Sequence, residues 1–243
     1  MTTLLKFGKG NAKLSKKIAT ISLPSGFTCP GALECLSKAN KVTGKIKDGA
    51  ETVFRCFSAS QEALYRNVRE NRWFNFDLVK GKTVEEMADL IEASLPKQDI
   101  IRIHVGGDFF SQDYFDAWVL VSERNPDKLF YAYTKSVNFW INRFDKLGQA
   151  GVKNFKLNAS RGGRHDHLIE EFMLKEALVV FTEEQAAEKG LLIDHDDSLA
   201  YTQDESFALL LHGAQPAGSE ASKALQVLKK KGKGGYAKKK ATA

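Results

Sequence analysis

The alternation of apolar and polar positions along this chain predicts strands and helices taking turns. Lys17-Ile-Ala-Thr-Ile-Ser-Leu23 alternates, is rich in β-branched residues and stops at Pro24-Ser-Gly26, so it reads as a strand running into a loop. Residues 57–72 contain neither glycine nor proline and read as a helix. Thr83-Val-Glu-Glu86 has capping-box spacing, and Val84, Met87, Leu90 and Ile91 recur at helical period until Pro96. Ile100-Ile-Arg-Ile-His-Val105 then predicts a strand, Gly106-Gly-Asp108 a turn, and Ser111 to Arg124 an amphipathic helix carrying Tyr114, Phe115, Trp118 and Val121. The unit repeats: strands at 129–133, 155–159 and 177–181 precede helices at about 137–147, 167–174 and 183–189.

Four or five such units in series imply right-handed crossovers and a mainly parallel sheet. The expected fold is α/β, a parallel sheet of repeated βα units forming a partial or full TIM-like barrel, with an open doubly wound sheet as the other arrangement. In both, chemistry gathers where strands end. The residues following the strands are polar: Gly106-Gly-Asp108, Thr134-Lys-Ser136, Asn158-Ala-Ser-Arg161 and Thr182-Glu183. Helix N-capping accounts equally well for Thr134, Ser136 and Thr182. It does not account for Lys135 and Arg161, which offer no acceptor. Lys135, Ser136, Asn158, Ser160 and Arg161 are therefore the candidate catalytic, substrate-handling residues.

The 243 residues, 43% hydrophobic and 27% charged, suffice for a buried core. One α/β domain is expected over 1–220, with a cysteine-bearing loop at 24–56, followed by a basic, largely disordered tail over 221–243. No run approaches the roughly 18–20 apolar residues that span a bilayer, and the first residues lack a signal-peptide core, so a cytoplasmic location away from membranes is expected. The net charge of +6 sits at the ends: 221–243 carries eight lysines and no acid, five lysines precede the first acid, Glu34, and 34–220 carries 23 bases against 30 acids. Such a tail reads either as an arm for nucleic acid, held through phosphate charge, or as a solubilising end.

Three cysteines are too few for a closed disulfide framework. Cys29 and Cys35 bracket a Pro/Gly loop, and Cys56 follows a polar stretch. Three thiolates with an open fourth position suit a metal centre that binds something exogenous, whereas structural zinc normally takes four protein ligands. Buried, unliganded thiols are the plainer alternative. Arg161, Arg164, His165, Asp166 and His167 form a charged loop that suits anion binding or a solvated surface, His104 reads as a core histidine, and Asp194-His-Asp-Asp197 as a surface turn.

Leu23-Pro-Ser-Gly-Phe-Thr-Cys-Pro-Gly-Ala32, Arg55-Cys-Phe-Ser-Ala-Ser60, Gly106-Gly-Asp-Phe-Phe-Ser111 and Phe130-Tyr-Ala-Tyr-Thr-Lys-Ser136 occur in an order that resembles phage-encoded proteins of the gene product eighty-eight type. More distantly it is similar to radical SAM enzymes. That resemblance implies a four-iron four-sulfur cluster on Cys29, Cys35 and Cys56, with Gly106, Gly107 and Asp108 as the segment contacting S-adenosylmethionine. The cysteine intervals depart from the compact Cys-x3-Cys-x2-Cys spacing of those enzymes.

The function expected is an iron–sulfur, S-adenosylmethionine-dependent phage enzyme in the host cytoplasm, acting on nucleic acid or a nucleotide, with the basic tail as a nucleic-acid contact. The alternative is a non-enzymatic, zinc-stabilised nucleic-acid-binding protein.

Overall fold

The computed structural model describes residues 3–10, 13–147 and 152–232. Strand β1 (Gly8–Lys9) runs antiparallel to β2 (Ile18–Ile21), and a separate hairpin pairs β3 (Ser37–Ala39) with β4 (Ile46–Asp48). Helices α1 (Phe57–Leu64), α2 (Arg66–Val79) and α3 (Val84–Ser94) follow. Then come β5 (Ile100–Ile103), α4 (Gln112–Arg124), β6 (Leu129–Thr134), α5 (Val137–Ile141), α6 (Phe144–Leu147), β7 (Phe155–Ser160) and α7 (His167–Glu171). The chain continues through β8 (Glu176–Val180), α8 (Glu183–Glu188), α9 (Ser198–Thr202), β9 (Phe207–Leu210) and α10 (Glu220–Lys230).

Seven strands form one sheet in the order β1-β2-β5-β6-β7-β8-β9, parallel throughout except at β1. Strand order follows chain order, with no point of reversal. One face is apolar: Ile21, Ile103, Phe130, Ala132 and Leu157 pack with Met87, Ile91, Phe115 and Trp118 from α3 and α4. The opposite face carries Arg102, Tyr131, Tyr133 and Asn158, and is covered near its lower end by Leu14 and Ala200.

The sheet is not closed. Its outer strands are β1 and β9, and these do not pair, so a full barrel is corrected to an open sheet. Six parallel strands are fewer than the eight that enclose a filled interior. Instead, the polar face is closed from below by charge. Asp197, buried and left-handed at φ 69°, takes the Lys13 ammonium at 2.5 Å, the Arg102 guanidinium, and the Tyr131 hydroxyl at 3.2 Å. Burial opposes ionisation of Asp197, but Arg102 and Lys13 offset it and hold the carboxyl below its ordinary range. Asp194 and Asp197 are thus interior groups rather than part of a surface turn.

Three further elements differ from expectation. The helix predicted over 57–72 breaks at Tyr65, which is extended (φ −118°, ψ 102°), because the Arg69 guanidinium takes the Glu62 carbonyl as well as the Lys41 carbonyl at 3.0 Å. The β3–β4 hairpin was not anticipated. The folded body also extends past residue 220: in α10, Ala221, Leu225 and Leu228 are buried and pack with Val180, Ala208 and Leu210, while the Ser219 side chain caps the helix. The basic tail beyond residue 232 lies outside the described residues.

Leu225→Ala should therefore cost about 2–5 kcal/mol, the usual range for a leucine truncated in a core, read from urea denaturation. A loss below about 0.5 kcal/mol, the range of ordinary surface substitutions, would mean that α10 rests on the sheet without stabilising it.

Candidate functional site

All three cysteines line one cavity at the C-terminal ends of the parallel strands, with Gly106, Gly107 and Asp108 beyond β5, Lys135 beyond β6 and Ser160 on β7. Phe54, Phe57, Val179, Leu209 and Leu211 form apolar wall between them. The cavity is open on one side, with a volume of about 160 Å³.

Each cysteine is delivered by identifiable bonds. In the Pro24–Cys29 turn, the Thr28 amide and hydroxyl both donate to the Pro24 carbonyl, at 3.1 and 2.8 Å, and the Gly26 amide donates to Cys29 Sγ at 3.2 Å. The Ser25 amide donates to Glu62 Oε1, which also pairs with Arg72 at 2.7 Å. Arg72 donates in turn to the Ser58 carbonyl in the first turn of α1. A single buried ion pair thereby ties the Cys29 turn to the helix that starts beside Cys56. On the way to Cys35, Gly31 lies against the Lys135 backbone so closely that a Cβ would sit 2.0 Å from the Lys135 carbonyl oxygen. The Gly31 carbonyl accepts from the Arg164 amide, and the Glu34 amide donates to Gly162.

The long interval between Cys35 and Cys56 is absorbed by the β3–β4 hairpin. Its ends meet where the Gly49 amide donates to Leu36 at 2.7 Å and the Val53 amide to Glu34 at 2.7 Å. The side-chain amide of Gln215 then takes both the Arg55 amide, at 2.7 Å, and the Arg55 carbonyl, at 3.1 Å, which docks Cys56 against the loop after β9.

Burial raises all three thiol pKa values. Cys35 is pushed up to about 12, against the pull of nearby Lys135. Cys29 is raised by burial and by Asp108, against the Gly26 amide. Cys56 is raised by burial, against the amides of Ala59 and Ser58 at the start of α1. Among the described residues no three His, Cys, Asp or Glu side chains gather around a point that would hold one ion. The thiols thus share a cavity without converging on a single position.

Asp108 spends both oxygens within the protein. Oδ1 accepts from the Phe109 amide and the Thr134 hydroxyl, both at 2.7 Å, and Oδ2 from the Lys135 amide at 2.8 Å. Burial pushes its carboxyl up to about 6 against these three donors. The helix that follows is capped by Ser111. Gly106 is similarly engaged, its amide on Ser22 Oγ and its carbonyl taking the Leu23 amide. At Gly107 (φ 84°) a Cβ would meet Leu23 and Thr28, so neighbouring protein atoms already demand glycine there.

Of the candidate catalytic residues, Lys135 and Ser160 line the cavity; Ser136, Asn158 and Arg161 do not. Ser136 Oγ donates to the Phe109 carbonyl, Asn158 Nδ2 bonds the Ala132 and Ala200 carbonyls, and Arg161 pairs with Glu170 and Glu176. Lys135 Nζ donates to the carbonyls of Ser160, at 2.9 Å, and Arg161. In the charged loop, Asp166 accepts from the amides of Gly162 and Gly163, and neither His165 nor His167 reaches the cavity.

The cavity also gathers Arg102, His104, Tyr133 and His212. His104 is left-handed at φ 64°; burial lowers its pKa to about 3, Nε2 lies 3.2 Å from the Tyr114 hydroxyl, and Nδ1 has no hydrogen-bond partner. Backbone in that region is uncommon outside glycine and is recurrent at functional sites. Arg102 lies on β5, whereas His104 follows the strand and its ring packs against Phe109 and Tyr114, with ring centres 4.9 and 5.7 Å apart.

A family model described as Gene product 88 matches residues 3–230. The Gene 88 protein of Mycobacterium phage L5 is 29% identical over 144 residues, covering 53% of this chain and 54% of its own length. The Gene 88 protein of Mycobacterium phage D29 is 29% identical over 128 residues, covering 48% and 47% respectively. The chain thus spans about half the length of the curated relatives it matches. No solved structure matches. Among the described residues no helix is long and apolar enough to cross a membrane.

Burial of the Asp108 carboxyl predicts a pH signature. A carboxyl whose pKa rises from 3.8 to about 6 on folding gives up stability as pH rises through that window. Asp108→Asn removes this titration and leaves the Lys135 amide facing a donor, at a cost of about 1–3 kcal/mol. In urea denaturation the gap between parent and variant should narrow as pH rises from 3.8 to about 6; parallel profiles would mean that burial does not raise the Asp108 pKa.

Proposed function

We propose that this chain, which belongs to the gene product 88 family, is an iron–sulfur protein of radical SAM-like kind. Cys29, Cys35 and Cys56 would hold a four-iron four-sulfur cluster, with S-adenosylmethionine as the second group in the cavity. The observation that carries this reading is that the two cysteines of one loop and a third, Cys56, beyond a hairpin line one cavity at the strand ends. A parallel sheet wound in chain order is an open relative of the TIM-like barrel, where ligands sit at that edge.

The donor set suits a cluster better than a single ion. Three thiols, with no fourth cysteine in the chain, leave one iron free for an exogenous ligand. A cluster would engage each cysteine through a different iron, so the three thiols would need only to line one cavity, as they do. Zinc at a closed structural site would need four converging ligands.

When bound, the cluster would supply one electron to S-adenosylmethionine, the protein contributing orientation and dryness. The Gly26 amide at Cys29, the first-turn amides of α1 at Cys56 and Lys135 near Cys35 each favour the thiolate that a metal needs. Phe54, Phe57, Leu209 and Leu211 present apolar wall beside the cysteines. Lys135 retains one ammonium proton beyond its two carbonyl bonds, and with Ser160 it stands where a substrate would meet the wall. Asp108, already held by three protein donors, is assigned no contact with S-adenosylmethionine.

Anaerobic reconstitution with iron and sulfide should give brown protein, and Cys29→Ala, Cys35→Ala and Cys56→Ala should each lose iron while retaining the parent circular dichroism. Undiminished iron in these variants, or stoichiometric zinc in the purified parent, would overturn the reading.

A further inference from the structure

One surface beside the cavity combines lysines with ring faces. Phe27, 42% exposed, stands two residues before Cys29 and packs on Trp73 with ring centres 5.0 Å apart. Trp73 meets Phe76 at 5.9 Å. A lysine ammonium lies over each ring: Lys38 over Phe27 at 5.3 Å, Lys41 over Trp73 at 4.6 Å and Lys80 over Phe76 at 5.8 Å. The hairpin beside this row, residues 37–48, carries Lys38, Lys41, Lys45 and Lys47, all exposed, and one acid, Asp48, which is paired with Arg55. Asp77 pairs with Lys41 and Lys80, at 2.9 and 2.6 Å, in exposed contacts of small energetic worth. Lys38, Lys45 and Lys47 have no ion pair among the described residues.

We propose that this face, formed by Phe27, Trp73 and the lysines of the β3–β4 hairpin, binds single-stranded nucleic acid. Each unit of the surface offers an ammonium beside a ring face, and each nucleotide of a single strand offers a phosphate beside a base face. A duplex hides its base faces, and an acidic peptide has no planar groups for the rings. The proposal goes beyond the iron–sulfur reading and does not depend on it.

The test is fluorescence anisotropy of labelled oligothymidylate with the full chain, with and without bound iron, over a range of salt. Lys38→Gln, Lys45→Gln and Lys47→Gln combined should flatten the slope of log K against log salt by up to about 2, at ~0.7 per phosphate contact. Phe27→Leu should weaken binding by about 5- to 150-fold at fixed salt, the range for one lost base stack. Quenching of Trp73 fluorescence on binding, absent in Trp73→Phe, reports stacking without altering Phe27. Equal affinity for duplex, an unchanged slope in the triple variant, or a slope that instead follows Lys238→Gln, Lys239→Gln and Lys240→Gln in the tail would overturn the proposal. So would a polyglutamate competitor displacing the strand equally from parent and Phe27→Leu.

Discussion

The cavity depends first on the buried carboxylate of Asp108. It joins the end of β5 to the end of β6 by accepting from Phe109, Thr134 and Lys135, and so fixes the backbone on which Gly31 rests. From the same residue, the Lys135 ammonium reaches on to the carbonyls that end β7. Three neighbouring strand ends and the Cys29–Cys35 loop are thus held by one side chain and its immediate partners. Burying a carboxylate is costly unless its oxygens are occupied, and here three donors occupy them.

A second buried group does the same on the other side. Glu62, paired with Arg72, takes the Ser25 amide and sets the Cys29 turn against the start of α1, where Cys56 lies. Removing one member of such a pair leaves an uncompensated charge in the interior, so both anchors are fragile to substitution. The open sheet is completed below by the Lys13, Arg102 and Asp197 cluster. The apolar face therefore supplies cohesion, while the polar face is organised by a few buried charges paired with one another.

Much of the fold was legible because it is local. The capping box at Thr83 and Glu86 forms as its spacing requires, and the strand and helix alternation from Ile100 to α8 is reproduced, with the helix expected over 137–147 split into α5 and α6. What the sequence hid was long-range or disguised by charge. The β3–β4 hairpin has strands of three residues with only Ala39 and Ile46 as apolar markers, too short a pattern to register. In α10, the lysines obscured the period carried by Ala221, Leu225 and Leu228. At the site, the number of cysteines and the loop around two of them suggested a shared centre, but only the hairpin and the Gln215 contact explain how Cys56 returns to it. Asp108, Ser136 and Asn158 looked like exposed strand-end chemistry because their buried partners lie on other strands or distant loops.

The central claim is that the three cysteines form one cluster site with a free iron. Low-temperature electron paramagnetic resonance of the anaerobically reconstituted, reduced protein tests it most directly. The account predicts the signal of a single four-iron cluster per chain that changes when S-adenosylmethionine is added. No iron–sulfur signal, or one that survives replacement of all three cysteines, would contradict it.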